Sequence, residues 1–172
     1  MRYVITDDEA KKAKFPHEIF LINLVTNHIL LFVGLLGMMK TYPILTAITP
    51  SISFVVIGYI MLRSRSIEKN ASWFIHCHWQ VCVRRSKFFI GILMLMGVGI
   101  AGLILSVDGN ISALRPGHYA VGGITILPTM VSILVLIVME SDAMHQAKIG
   151  RLPNWVVEKY PNPDAITIEE PK

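Results

Sequence analysis

The residues best equipped for chemistry lie in one short stretch, Trp73-Phe74-Ile75-His76-Cys77-His78-Trp79-Gln80-Val81-Cys82. His78 and Cys82 are four apart, so on a helix they share a face. His76 and His78 are two apart and point away from each other. Imidazole and thiolate are ligands that zinc and other transition metals favour. Further ligands must come from another segment. If the last two apolar runs fold back on each other with Ser106 and Gly117 level, His78 falls beside His145. Cys82 then falls beside Ser141, with Glu140 and Asp142 on either side. The metal site expected from the sequence is therefore His78, Cys82 and His145. Its spacing matches no established metal motif. The plainer reading is that His and Trp side chains anchor at the headgroup layer while the two cysteines pack.

A second candidate is His28, which sits inside the first apolar run, near mid-membrane depth at 1.5 Å per residue. Neutral imidazole binds haem iron, but no other apolar run offers a histidine at that depth, so a haem on His28 requires a partner subunit. Around it, Asn23, Thr26, Asn27, Gly34 and Gly37 fall on one helical face. Asn amides bond across helices in lipid, and small residues let backbones approach. Gly97 and Ala101 form a similar small pair in the third run. These residues are expected at helix contacts. Pro50 and Pro128 should kink their helices, with neighbouring hydroxyls bonding freed carbonyls. No Ser/His or carboxylate pair suited to hydrolysis lies within the apolar runs. Cys77 and Cys82 are five apart, so on one helix they project in different directions, and a cytoplasmic setting would keep them reduced.

The elements that must position these groups are four apolar runs, at about 19–39, 44–62, 88–106 and 119–139. Each approaches the ~20 residues that cross a hydrocarbon layer. The expected fold is all-α: a polytopic four-helix transmembrane bundle, up and down, occupying 19–149. A cytoplasmic N-terminal segment (1–18) and a cytoplasmic tail (150–172) flank it. Of the 16 Lys and Arg residues, all but Lys40 and Arg115 lie before the first apolar run, between the second and third, or after the fourth. The positive-inside rule then places both termini in the cytoplasm, in a setting read as a bacterial inner membrane. Between Trp73 and Lys87, and between Glu140 and Ile149, no Gly or Pro interrupts a helix, so the third and fourth helices should extend into the cytoplasm. Gly150 suits a helix stop before Pro153. The tail after Pro161 reads as disordered or loosely docked. Asn110-Ile111-Ser112 fits a glycosylation acceptor, relevant only in a eukaryotic secretory setting.

Composition agrees: the chain is 53% hydrophobic and only 16% charged, with mean hydropathy +0.54. The net charge of +4 sits beside apolar runs, which argues for anionic lipid headgroups rather than nucleic acid. Arg63, Arg65, Arg84, Arg85 and Lys87 are the expected headgroup contacts. The favoured function is a non-catalytic small subunit or accessory protein of a larger membrane complex. Its partners would be the lipid bilayer and other membrane subunits, and the pattern requires no cofactor. The alternatives are a membrane redox protein binding a transition metal or haem, and a small polar-solute transporter built around Asn23, Asn27 and His28.

Overall fold

The computed structural model describes residues 2–36, 38, 41–110 and 113–168. The contact expected of Gly37, the charge of Lys40, the Ile111-Ser112 part of the acceptor triplet and the end of the tail lie outside these residues.

The first helix begins well before its apolar run. Thr6 caps α1 (Asp7–Ile22) with a reciprocal capping box: its hydroxyl accepts from the Glu9 amide, and the Glu9 carboxylate accepts from the Thr6 amide. Asp7, Asp8 and Glu9 in the first turn suit the positive end of the helix dipole. The chain then widens into a π-helix, Asn23–Leu31, before α2 (Phe32–Leu36). In a π-helix, residues four and five apart fall on one face, because each bond spans five residues. That brings Asn23, Asn27 and His28 into the interior together.

The second apolar run yields less helix than its length suggests. Pro43–Ala47 is a 3-10 turn, and α3 (Ile48–Asn70) starts only afterwards. Arg63 and Arg65 then interrupt its apolar part. α4 (Trp73–Leu105) and α5 (Pro116–Ile149) are long and run beyond the apolar stretches at the end they share. Gly150, at φ +74°, closes α5 in the left-handed region. A Cβ there would strike the Tyr3 carbonyl, so glycine is required both for the turn and for the close approach. Three stretches combine the length and composition needed to cross a membrane: Asp7–Leu35, Trp73–Leu105 and Pro116–Ile149. α3 is not among them.

α1 lies in the groove between α4 and α5, while α3 packs on α4 and on the π-helix. The core is continuous through Phe20, Leu24, Ile57, Ile60, Trp79, Phe89, Ile133 and Leu136. At the end holding both termini, β1 (Arg2–Tyr3) pairs antiparallel with β2 (Thr167–Ile168). The short helix α6 (Asn154–Lys159) crosses α4, and Trp73 Nε1 donates to the Tyr160 carbonyl at 2.6 Å. The tail is therefore docked along this stretch, not loose.

Gly34, Gly97 and Ala101 are exposed, and a Cβ at Gly34 or Gly97 would meet nothing within 4 Å. The close approach in this region is at Gly99, where a Cβ would run into the Thr125 side chain. The Thr125 hydroxyl is itself held by the Val121 carbonyl at 2.9 Å.

Candidate metal centre

Where α1, α4 and α5 meet, four ionisable side chains are fully buried: His17, His78, Cys82 and Glu140. His17 enters because α1 seats between the other two helices. It lies three residues before Phe20 and seven before Leu24, both at 0% exposure, which is the spacing of one helical face. His17 Nδ1 is 2.5 Å from Glu140 Oε2, and its Nε2 is 3.1 Å from His78 Nδ1. His78 Nε2 is 3.2 Å from the Arg151 carbonyl oxygen. Arg85 donates to Glu140 Oε1 at 3.2 Å and to the Met139 carbonyl at 2.8 Å. The Cys82 thiol donates to the Pro16 carbonyl at 3.4 Å. One ligand atom each from His17, Cys82 and Glu140 fall within 4.8 Å of one another.

Hydrogen-bond polarity along this chain follows from its end. A carbonyl can only accept, so His78 Nε2 must carry a proton to satisfy Arg151. A neutral His78 then presents a lone pair at Nδ1, and His17 Nε2 must donate to it. With Nε2 protonated, a neutral His17 aims the lone pair of Nδ1 at the Glu140 carboxylate. Two acceptors face each other across 2.5 Å. A gap that short requires an extra proton shared between imidazole and carboxylate; a metal ion could replace that proton only if the pair moved apart.

Several anticipated ligands are brought here and others are not. His78 and Cys82 both belong to the cluster, but His145 is exposed on the outer face of α5. α1 occupies the space between α4 and α5, so His17 and Glu140 supply the imidazole and carboxylate instead. Asp142 accepts a bond from Gln146 at 2.5 Å on the exposed side. The missed signal was Thr6-Asp7-Asp8-Glu9: a capping box there starts a helix early enough to put His17 in phase with Phe20.

His28 belongs to a second polar layer, deeper along the first helix. Its Nε2 lies 2.8 Å from Ser53 Oγ, and its ring stands edge-on to Phe89 at 4.9 Å. Asn23 Nδ2 donates to the same Ser53 oxygen at 2.8 Å. Asn27 Nδ2 donates to the Thr49 carbonyl at 2.8 Å and to Asn23 Oδ1 at 3.2 Å. Asn23 and Asn27 thus bridge the π-helix to α3, whereas Thr26 is exposed. Of the five basic residues expected at lipid headgroups, Arg63, Arg65, Arg84 and Lys87 are exposed, and Arg85 turns inward to Glu140.

An all-helical chain with three long apolar helices is of a class compatible with an integral membrane protein. No family model matches it, and no curated protein or solved structure matches it either.

Proposed function

We propose that this is a small, non-catalytic membrane protein whose helices are tied together by a transition-metal ion of the zinc class, bound by His17, Cys82 and Glu140. The observation that carries this reading is the facing pair of acceptors, His17 Nδ1 and Glu140 Oε2, with the Cys82 thiol beside them. Nitrogen, sulfur and oxygen donors at tetrahedral zinc stand about 3.3 Å or more apart. The nitrogen–oxygen pair therefore opens by roughly 1 Å to admit the ion. His78 and the Arg151 carbonyl then form the outer hydrogen-bonded support of the His17 ligand.

The exchange is balanced in charge. One divalent ion enters, and the shared proton and the Cys82 thiol proton leave, so the buried charge beside Arg85 is unchanged. Acidification therefore weakens the ion's hold, because each proton competes for a ligand atom. Burial of all three ligands at 0% exposure favours an ion that holds helices over one that meets substrate. Three helices tied at one end suit an accessory subunit, with the apolar outer faces of α4 and α5 toward lipid or a larger assembly.

The test is the metal content of full-length protein purified in mild detergent, supplied with Zn²⁺ and desalted. About one ion per chain is expected, with about two protons released on loading. His17→Ala and Cys82→Ser should each lower retention, whereas His145→Ala should not. Wild-type protein that retains no ion would refute the reading.

α3 is read here as a fourth crossing. Its exposed apolar residues Val55 and Leu62 and its packing along α4 support this. The distribution of Lys and Arg supports termini in the cytoplasm, and a bacterial inner membrane is the setting proposed with it. Reporter fusions at residue 172 and within the 107–117 loop should then report opposite compartments. The same compartment for both would reverse this part of the reading.

A further inference from the structure

Arg84 and Arg85 are neighbours in sequence but divide their work. Arg85 turns into the bundle and pairs with Glu140. Arg84 turns outward and lies over the Trp155 ring, its Cζ 4.4 Å from the ring centroid. Trp155 reaches this position because α6 crosses α4. Lys159, on the next turn of α6, lies 5.5 Å from the Tyr160 ring. These residues, with Lys87, Gln80 and Val83, line a concave pocket of about 270 Å³ between α4 and α6.

Three cations thus converge on one hollow that no carboxylate lines. Among the described residues, the ion pairs are Lys12–Asp8, Lys14–Glu18, His17–Glu140 and Arg85–Glu140. Arg84, Lys87 and Lys159 belong to none of them. The nearest acidic residue in sequence, Glu158, lines a separate cavity with Tyr3, Arg151 and Asn154. Like charges gathered without a counter-ion repel one another, so the arrangement favours an anion that bridges them. Its level is also informative. Phe88, directly after Lys87, begins the apolar part of α4, which places the pocket where that span would leave the hydrocarbon. Trp and Tyr rings favour that layer, and guanidinium and ammonium groups bind phosphate oxygens there.

We propose that the pocket between α4 and α6 is a discrete site for one anionic phospholipid headgroup, held through its phosphate by Arg84, Lys87 and Lys159 beside Trp155. The shared chemistry is a phosphate ester, and the lipid is chosen as its source because the adjoining surface is apolar. This site is independent of the buried metal centre.

Native mass spectrometry of the full chain in detergent tests it. Phosphatidylglycerol, phosphatidylcholine of the same chain length, and inorganic phosphate would each be titrated in. One phosphatidylglycerol per chain should be retained at concentrations where phosphatidylcholine and phosphate are not. Arg84→Gln with Lys159→Gln should weaken that retention by about tenfold or more. Arg63→Gln with Arg65→Gln removes the same charge elsewhere and should change it by less than about twofold. Equal losses in the two double variants would overturn the site in favour of diffuse attraction. Equal retention of the two lipids would also overturn it, and saturation by inorganic phosphate alone would overturn the lipid as its source.

Discussion

Glu140→Leu should destabilise the bundle by about 3–5 kcal/mol, the range seen when one partner of a buried ion pair is removed. The reason is local. Glu140 is at 0% exposure and its two oxygens serve different partners: one meets His17, the other Arg85. The Arg85 side chain is 13% exposed, so removing the carboxylate leaves a guanidinium held out of water with only the Met139 carbonyl as acceptor. His17 loses its anion too, and its Nδ1 then faces a methyl group. Leucine fills the volume but offers no acceptor. The double variant Glu140→Leu, Arg85→Leu removes the stranded cation as well. It should recover most of the loss, since apolar replacement of a whole buried pair is often neutral. Unfolding in mixed micelles, done in chelator so that no metal contributes, measures both. A single variant as stable as the double one would show that Arg85 does not depend on Glu140.

Ser53→Val should have the next largest effect, through two orphaned groups and not through a cavity. Ser53 Oγ is the common partner of the Asn23 amide and the His28 ring. Valine is bulkier than serine, but threonine adds the same bulk with a hydroxyl, so Ser53→Thr controls for crowding at this buried position. The Asn23 donor and His28 Nε2, both on residues 4% exposed, would be left without a partner. Each buried orphan costs about 1–3 kcal/mol in water-soluble proteins, and about 0.6 kcal/mol on average for interhelical bonds in lipid. Ser53→Thr keeps the hydroxyl and should lose much less. The same unfolding assay checks both variants. Indistinguishable Val and Thr variants would mean that the π-helix is held by packing and not by these bonds.

The relation between sequence and structure differs from element to element. The long reach of α4 and α5 was legible, because nothing between Trp73 and Lys87 or between Glu140 and Ile149 breaks a helix, and Gly150 marks the stop. α3 was only partly legible: Pro43 opens a 3-10 turn, and hydropathy alone does not reveal where α geometry begins. The π-helix left no pattern in residue types, since its bonding is set by fitting Asn23, Asn27 and His28 against α3. At the candidate site, His78 and Cys82 could be read from their four-residue spacing. Their partners could not, because an antiparallel α4–α5 pair taken alone points to His145. The third helix in that groove is a tertiary fact. Only the capping box at Thr6 hints at it, by starting α1 early enough to carry His17 inside.

The most direct measurement on the metal centre is the absorption spectrum of the Co²⁺-substituted full-length protein, compared with Cys82→Ser. Cobalt takes zinc-type sites, and a thiolate ligand adds a charge-transfer band in the near ultraviolet to the visible ligand-field bands. The expected result is that band in the wild type and its loss in Cys82→Ser, with the visible bands weakened or shifted. A wild-type spectrum without the band, or one identical in the two proteins, would contradict a metal ion held between His17, Cys82 and Glu140. The gap between imidazole and carboxylate would then belong to a proton alone.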